Sequence, residues 1–373
     1  MNMKRQSNNI LHLMGMDSTK YGGIERFNVE LSRQLAEKGY HSVFVYERWP
    51  DVEQFAIDLQ QTGAEIMVLS CKMNPLTFCH QLWTLFRRYN FCMMHAHFTP
   101  ARFYAIPLAL LYGMKEVVYT IHSTLPSLNE IKFHTRIWYS LYNKYCHVVA
   151  VSKDIEDVAR KNWPKAQIKN LYLGIVPCIT NRAQARRELN ISAGTVMVMC
   201  TANFNHIKGL DILVRAIAQT HQHMDLTNVT FYIVGQPEKD KKELQRFMDE
   251  QQVSAYIHLE GISNQIPRYL NAADVYIQPS RSEGIGLAIM EACSVGLPII
   301  ASRVGGIPEV AREGENAILF EPGNINECAT ALQTMLMDSS LRQKLGENSK
   351  RVYAEKFQIS NNVNKLIEYY NLK

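Results

Sequence analysis

Two glutamates and a glycine-rich turn lie close together between residues 278 and 310. An apolar run that predicts a β-strand ends at Pro279, and a helix is predicted to begin near Leu287. Glycines between them would let backbone amides approach a ligand, and the first helical turn would add unpaired N–H groups and a positive dipole end. This arrangement predicts a diphosphate site. Glu291, about one turn into the helix, and Glu283, on the loop, can accept hydrogen bonds from ribose and sugar hydroxyls.

Lys208 is a second candidate, because it follows one predicted strand and stands where a helix begins. A fixed ammonium at a helix N-terminus suits a diphosphate leaving group. Gly22 and Gly23 also lie between a predicted strand and a helix, at the start of the chain. Such glycine turns are common, so by themselves they indicate only a flexible turn at a helix N-terminus.

Histidines stand at the ends of two further predicted strands. His122 ends the run from residue 116 to 122, and His95 and His97 fall near the end of the run from 92 to 98. A histidine in such a place can contact a ligand, or it can simply be a hydrogen-bonded polar group.

The elements that must position these residues alternate between strand and helix along the whole chain. In the helical stretch 24–38, Phe27, Leu31 and Leu35 share one face. Apolar strands separated by such helices predict parallel sheets covered on both sides. The predicted strands are 9–15, 41–47, 65–70, 92–98, 116–122, 147–152, 168–173, 195–202, 230–235, 257–261, 274–279 and 298–302. A polar segment predicts a linker near 175–190, so we expect two Rossmann-like domains facing a cleft, with ligands beyond the carboxyl ends of the strands.

Composition excludes several other classes of protein. The 373 residues are 47% hydrophobic and 20% charged, which excludes disorder and a collagen-like chain. The eight cysteines are scattered without a C-x-x-C pair, so we expect reduced thiols and neither zinc ligands nor disulfides. The longest apolar stretch, residues 105–114, is about half of the ~20 residues that span a bilayer. The opening residues lack the apolar core of a signal peptide, so we expect a cytoplasmic protein.

Positive charge is concentrated in the first half of the chain. Residues 1–180 contain 20 Lys and Arg against 14 Asp and Glu, whereas residues 181–373 contain 20 against 21. This asymmetry indicates an anionic partner, either a phosphate-bearing substrate or a membrane surface. Nucleic acid is not expected, since no dense basic run with interleaved aromatic residues occurs.

The spacing of Glu283 and Glu291, with seven residues between them, resembles the E-x7-E motif of the family 4 retaining glycosyltransferases. Residues 296–298 and 305–310 are similar to the stretch that follows this motif in the family, and the resemblance extends over most of the chain. It implies an α/β architecture of the GT-B type, with two Rossmann-like domains whose parallel sheets face a central cleft.

The resemblance also implies a division of the chain. We expect residues 1–180 to form an N-terminal, acceptor-side domain that is joined by a returning amphipathic helix at 358–373. Residues 181–357 are expected to form the domain that binds the nucleotide sugar.

Roles carried over from the family fall on individual positions. Residues 120–122 look like the T-x-H signature, whose histidine lies beside the transferred sugar, and Lys208 resembles the phosphate-binding lysine. The predicted catalytic residues are therefore His122, Glu283 and Lys208. The predicted donor-binding residues are Gly22, Gly23, Asn203, Lys208, Gly261, Ile262, Gly284, Ile285, Gly286, Leu287 and Glu291. The resemblance implies neither a metal nor a cofactor.

This sequence departs from the family at two places. The family commonly has an arginine a few residues before the lysine, where this chain has Asn203, Asn205 and His206. Residues 173–176 resemble the family's N-G-[IV]-D but lack both polar residues. Without that arginine, one fewer cation than the family commonly has would bind the diphosphate.

We therefore predict a retaining, metal-independent hexosyl- or N-acetylhexosaminyltransferase that uses a nucleotide-diphosphate donor, with a UDP-sugar favoured. Its acceptor would be a hydroxyl of a glycan or lipid-linked molecule in cell-surface polysaccharide or glycoconjugate synthesis. A catalytically weak sugar-nucleotide-binding subunit and a GT-B epimerase or phosphorylase remain alternatives. Aromatic and basic residues at 83–89 and 133–145 indicate either core with a solvated face or peripheral contact with the inner face of the membrane.

Overall fold

The computed structural model describes residues 8–70, 72–98, 101–123, 145–202, 205–236 and 238–372. The chain divides into two compact units, one of Met1–Gly174 with Ile359–Lys373 and one of Ile175–Gln358. The sequence places the first boundary at residue 180, six residues later than the last residue of this first segment. Asn203 and the aromatic-basic segment 133–144 lie outside the described residues.

The first unit is built on a seven-stranded parallel sheet with the strand order β3-β2-β1-β4-β5-β6-β7. Its strands are β1 (Asn9–Leu13), β2 (His41–Tyr46), β3 (Glu65–Val68), β4 (Met93–His97), β5 (Glu116–Ile121), β6 (His147–Ala150) and β7 (Gln167–Asn170). Its first five described helices are α1 (Gly23–Glu37), α2 (Glu53–Gln61), α3 (Pro75–Tyr89), α4 (Ala101–Tyr112) and α5 (Lys153–Asn162). Phe27, Leu31 and Leu35 of α1 are buried, as their spacing predicts.

The second unit has a six-stranded parallel sheet with the order β10-β9-β8-β11-β12-β13. Its strands are β8 (Val196–Thr201), β9 (Val229–Gln236), β10 (Ile257–Gly261), β11 (Val275–Gln278), β12 (Ile299–Ser302) and β13 (Ala317–Phe320). Its helices are α6 (Arg182–Glu188), α7 (Leu210–His223), α8 (Glu238–Glu250), α9 (Ile266–Ala272), α10 (Leu287–Val295), α11 (Ile307–Val310), α12 (Ile325–Met337) and α13 (Ser339–Lys356). Both sheets are parallel α/β layers, so the predicted fold class is confirmed.

The last helix, α14 (Ile359–Tyr369), belongs to the first unit and packs against α1. Gln34 of α1 donates a hydrogen bond to the carbonyl of Ser360 at 3.1 Å, and Asn362 donates one to the carbonyl of Leu173 at 3.2 Å. Val363 and Leu366 are buried, which accounts for the amphipathic pattern at the end of the chain.

Two sequence predictions need correction. Half of the predicted linker is helix α6, because Arg186 donates to the Ala272 carbonyl at 2.9 Å and pairs with Asp274 at 3.1 Å. These polar residues therefore anchor a helix. The edge strand β13 was missed, since only four apolar residues follow a turn there, too few to separate a strand from a loop.

Within the described ranges, no helix is both long enough and apolar enough to cross a membrane. The aromatic-basic residues of α3 divide between its two faces. Phe86 is buried, whereas Leu76 is 80% exposed and Trp83 is partly exposed with its ring edge against Tyr112.

Candidate active site

Each sheet has a position where the strand order reverses, and several predicted site residues lie at its carboxyl-end loops. The reversal falls between β1 and β4 in the first unit and between β8 and β11 in the second. The connections that leave two such neighbouring strands diverge, so a crevice opens at their carboxyl ends. Lys208 follows β8 and Glu283 follows β11, although 75 residues separate them in sequence.

Lys208 and Glu283 are in direct contact. The Lys208 Nζ lies 2.7 Å from the Glu283 Oε2, and the two side chains are 29% and 18% exposed. A charge-assisted hydrogen bond in this partly buried position is stronger than one on an open surface. The structure thus brings together two of the three predicted catalytic residues, and it places an ammonium group at the reversal point of the second sheet.

The turn that carries Lys208 has a fixed geometry. The Asn205 side chain accepts a hydrogen bond from the Lys208 backbone N–H at 3.0 Å, which caps a short 3-10 turn. Gly209 follows with φ +66°, and a Cβ at this position would lie 2.0 Å from the carbonyl oxygen of Pro279. Only glycine allows this close approach between the turn after β8 and the loop after β11.

An ion pair that sequence reasoning missed ties the same two segments together. Arg281 binds Asp211 in a bidentate manner, with both N–O distances at 2.7 Å. The Arg281 backbone N–H donates to the Ile207 carbonyl at 2.7 Å, and its guanidinium donates to the His206 carbonyl at 2.9 Å. Hydrogen bonding from Arg281 lowers the pKa of Asp211, which therefore stays ionised at neutral pH. The sequence does hold one sign of this ion pair: Asp211 is three residues from Lys208, and the oppositely charged Arg281 is two residues from Glu283.

The loop after Glu283 leads directly into helix α10. Gly286 has φ +80° and is the N-cap, so the helix begins at Leu287. Gly284 accepts a hydrogen bond from the Gly306 N–H at 3.2 Å, and the Ile285 side chain is buried in the core. Glu291 is the fifth residue of α10 and is partly buried. The predicted turn at a helix N-terminus is therefore present, with a glutamate on each side of it.

Gly261 and Ile262, which are also predicted to bind the nucleotide-sugar donor, lie farther along the sheet of the second unit. Gly261 ends β10, which is separated from β8 by β9. Ile262 is 66% exposed, and a Cβ on Gly261 would meet open space. Crowding therefore does not require a glycine at position 261.

In the first unit, Gly22 is the N-cap of α1 and Gly23 is its first residue. The Gly22 N–H donates to Glu25 Oε2 at 3.0 Å, and the Ser18 hydroxyl donates to Glu25 Oε1 at 3.1 Å. This buried carboxylate belongs to a capping box and already occupies part of the helix N-terminus. Glu25 was not among the residues predicted from the sequence to belong to the site.

His122 follows β5 and lies beside His97, the last residue of β4. The His97 Nδ1 is 3.0 Å from the His122 Nε2, and the Phe98 ring stacks on His122 at 4.3 Å between centroids. Burial lowers the pKa of His122 to about 4 and holds the pKa of His97 well below its usual range. Both imidazoles are therefore neutral at physiological pH.

His97 also belongs to a cluster with His12 and His95, in which the ring nitrogens lie within 4.8 Å of one another. Three imidazoles at this spacing could hold a metal ion. However, hydroxyl groups already engage both nitrogens of His95, from Tyr370 at 2.6 Å and from Thr120 at 2.7 Å. A site with three histidine ligands would have to break one of these short hydrogen bonds.

Comparison with known proteins covers both units. Residues 21–177 match the family model described as Glycosyltransferase Family 4, and residues 181–352 match the one described as Glycosyl transferases group 1. N-acetyl-alpha-D-glucosaminyl L-malate synthase of Bacillus anthracis is 26% identical over 370 residues, with 90% of each chain covered. The lipopolysaccharide core biosynthesis glycosyltransferase LpsE of Rhizobium meliloti is 27% identical over 214 residues, which are 57% of this chain and 59% of LpsE.

The fold has close counterparts among solved structures. Anabaena HepE, crystallised in complex with UDP and glucose, superposes with a TM-score of 0.82 at 20% identity, covering 97% of this chain and 98% of HepE. WaaG, a glycosyltransferase involved in lipopolysaccharide biosynthesis, gives a TM-score of 0.75 at 15% identity, covering 98% of this chain and 100% of WaaG. Since the family models span both units and the E-x7-E glutamates flank the start of α10, the chain belongs to glycosyltransferase family 4 and is a glycosyltransferase of the GT-B fold.

Proposed function

We propose that this glycosyltransferase takes its sugar from a UDP-linked donor and transfers it with retention at the anomeric carbon. The observation that carries the proposal is the 2.7 Å contact between Lys208 and Glu283, next to the loop that begins α10. A cation, a carboxylate and the N-terminus of a helix at one sheet edge suit a sugar diphosphate. UDP is supported by HepE, whose crystal structure holds UDP and glucose.

The negative charge that develops on the leaving diphosphate would be stabilised by Lys208 and by the N–H groups at the start of α10. When the donor binds, Lys208 would exchange Glu283 for phosphate oxygens, and Glu283 would accept hydrogen bonds from sugar hydroxyls. The bond between the anomeric carbon and the phosphate oxygen breaks as the acceptor oxygen attacks from the same face. The departing phosphate oxygen takes the acceptor proton, so this step requires no separate protein base and no metal ion.

The other predicted residues complete the proposed site. Glu291 would accept hydrogen bonds from the ribose hydroxyls, and Gly261 and Ile262 would hold the base through their backbone. Gly22 and Gly23 would bring backbone amides to the donor phosphates or the acceptor, and His122 would contact the transferred sugar. Asn203 would contact the diphosphate where the family has arginine.

The acceptor is proposed to be a hydroxyl of a glycan or a lipid-linked molecule in cell-surface polysaccharide synthesis. LpsE and WaaG, whose names refer to lipopolysaccharide, support this class. Peripheral contact with an anionic membrane surface is proposed from α3, whose Leu76 is exposed and whose last turn carries Arg87 and Arg88.

The donor assignment can be tested by titrating UDP, GDP, ADP and CDP into the full-length protein by calorimetry, followed by hydrolysis assays with a panel of UDP-sugars. UDP should bind most tightly, and Lys208→Ala should weaken its binding. Lys153→Ala is the control and should leave UDP binding unchanged. Lys153 likewise forms an ion pair, at 3.0 Å with Glu156.

The stereochemistry can be tested by NMR of the product formed from an α-linked UDP-sugar. A retaining enzyme gives an α-linked product, and a β-linked product would refute retention. Tight UDP binding with neither hydrolysis nor transfer across the donor panel would instead support the alternative of a catalytically weak sugar-nucleotide-binding subunit.

A further inference from the structure

The geometry of the histidine pair points to a role for His97. We propose that His97 is a positioning residue that donates its Nδ1–H to the Nε2 of His122, and thereby fixes His122 in the tautomer that presents Nδ1–H as a donor. This inference rests on the proposed function, in which His122 contacts the transferred sugar.

The two rings are placed by neighbouring strands. His97 pairs with Thr120 in the register of β4 and β5, and His122 lies two residues beyond Thr120. Residues two apart on a strand point to the same face of a sheet, which brings the two imidazoles together. Their centroids are 5.3 Å apart, and the Nδ1 to Nε2 distance is 3.0 Å.

The direction of this hydrogen bond follows from burial. A neutral imidazole carries one proton, and the Nε2 of His97 is buried with no partner among the described residues. A proton on that nitrogen would be a buried, unsatisfied N–H, and orphaned donors of this kind are rarer than orphaned acceptors. The proton of His97 therefore belongs on Nδ1, where His122 accepts it.

The tautomer of His122 follows at once. Its Nε2 must accept the bond from His97, so its own proton is on Nδ1. The His122 ring then offers a hydrogen-bond donor, and it has no lone pair on Nδ1 with which to act as a base. Such a donor suits a sugar oxygen or an oxygen that gains negative charge during transfer.

Phe98 provides independent support for a fixed ring. It stacks on His122 with an angle of 13° between the ring planes, although its own backbone has φ +46°. A bulky residue seldom adopts this left-handed conformation, and strained backbone of this kind clusters at functional sites. Two consecutive residues thus hold His122: His97 contacts one of its ring nitrogens, and Phe98 packs against one face of its ring.

The tautomer can be measured directly in the free protein. Proton–nitrogen correlation spectra of ¹⁵N-histidine-labelled enzyme, assigned by comparison with a His122→Gln sample, distinguish the protonated ring nitrogen from the bare one. We expect Nδ1 of His122 to carry the proton. A proton on Nε2 would overturn the inference whatever the enzyme's activity, so this result is independent of the proposed function.

Kinetic variants test whether the tautomer matters for transfer. His97→Leu removes the donor, and His97→Asn keeps an amide N–H near the position of Nδ1. We expect His97→Leu to lower kcat about 10–100-fold, the size of effect that a misplaced reacting contact produces. His97→Asn should restore most of that loss, and UDP affinity should stay constant because UDP lacks the sugar.

The matched control is His12→Leu, since His12 lies on the same buried face and makes no hydrogen bond to His122. If His97→Leu and His12→Leu have the same kcat, His97 does not position His122. If His122→Gln itself leaves transfer unchanged, the proposed contact of His122 with the sugar is wrong while the tautomer result stands. Should His97→Leu fail to fold, His97→Asn and the spectrum of the wild-type protein decide the question.

Discussion

Replacing Gly209 by alanine should destabilise the second unit and weaken its binding of UDP. A non-glycine residue at φ +66° costs about 1–2 kcal/mol. The new Cβ would also lie 2.0 Å from the Pro279 carbonyl oxygen, so the turn must move away, and overpacking of this kind costs about 1–3 kcal/mol more. We therefore expect a loss of about 2–5 kcal/mol in the free energy of unfolding.

Gly314→Ala is a matched control for this change. Gly314 lies in the same unit, its φ is +69°, and a Cβ there would have nothing within 4 Å. The Gly314→Ala protein should lose only the cost of placing alanine at a positive φ, about 1–2 kcal/mol of its free energy of unfolding. Denaturant unfolding of both variants gives the difference, and calorimetry gives UDP affinity, which should fall only for Gly209→Ala because the turn carries Lys208.

Two results would refute this reasoning. Equal losses of stability in the two variants would show that the close approach to Pro279 does not require glycine. Unchanged UDP affinity in a destabilised but folded Gly209→Ala protein would show that the position of the Lys208 turn is not needed for nucleotide binding.

Four further predictions concern charge and protonation. Asp211→Asn should weaken UDP binding in calorimetry, because the bidentate hold of Arg281 on the Lys208 turn is lost; unchanged affinity would contradict this. Glu291→Ala should cost about 1–3 kcal/mol of affinity for free UDP if its carboxylate binds ribose, and unaltered affinity would remove it from the site. Burial lowers the pKa of His12 from 6.5 to about 3, so the unfolded chain takes up the proton first and stability falls as the pH drops below 6.5. Between pH 7 and pH 5 this one group should cost about 2 kcal/mol, and unfolding curves of His12→Leu should lack that loss. Transfer should be fully active in excess EDTA, and inhibition that magnesium or manganese reverses would refute the assignment of the leaving-group charge to Lys208.

Periodicity and turn residues predicted most of the local structure. Apolar runs of the right length predicted twelve of the thirteen strands in the part of the chain that the structure describes, since parallel strands buried on both faces are continuously apolar. The spacing of Glu283 and Glu291 around a glycine turn predicted the loop that begins α10. Helix α6 was not recognised, because Arg182 and Arg186 bind groups at residues 271–274, about 90 residues farther along the chain.

The contacts within the site could not be predicted from any local stretch of sequence. Lys208 meets Glu283, and Arg281 meets Asp211, only because β8 and β11 are neighbours in the sheet. The order of strands is set by how helices and strands pack, and the local pattern of each strand would be the same in any order.

The sequence by itself determined most of the strands and helices, the glycine turn, the flanking glutamates and the family. Tertiary structure alone decided that His97 touches His122, that both nitrogens of His95 are engaged, and that Gly209 must be glycine. The physical reason is that hydrogen-bond direction, burial and close backbone approach depend on atoms supplied by other strands. A residue's type limits what chemistry it can do, and its neighbours in space decide which part of that chemistry is available.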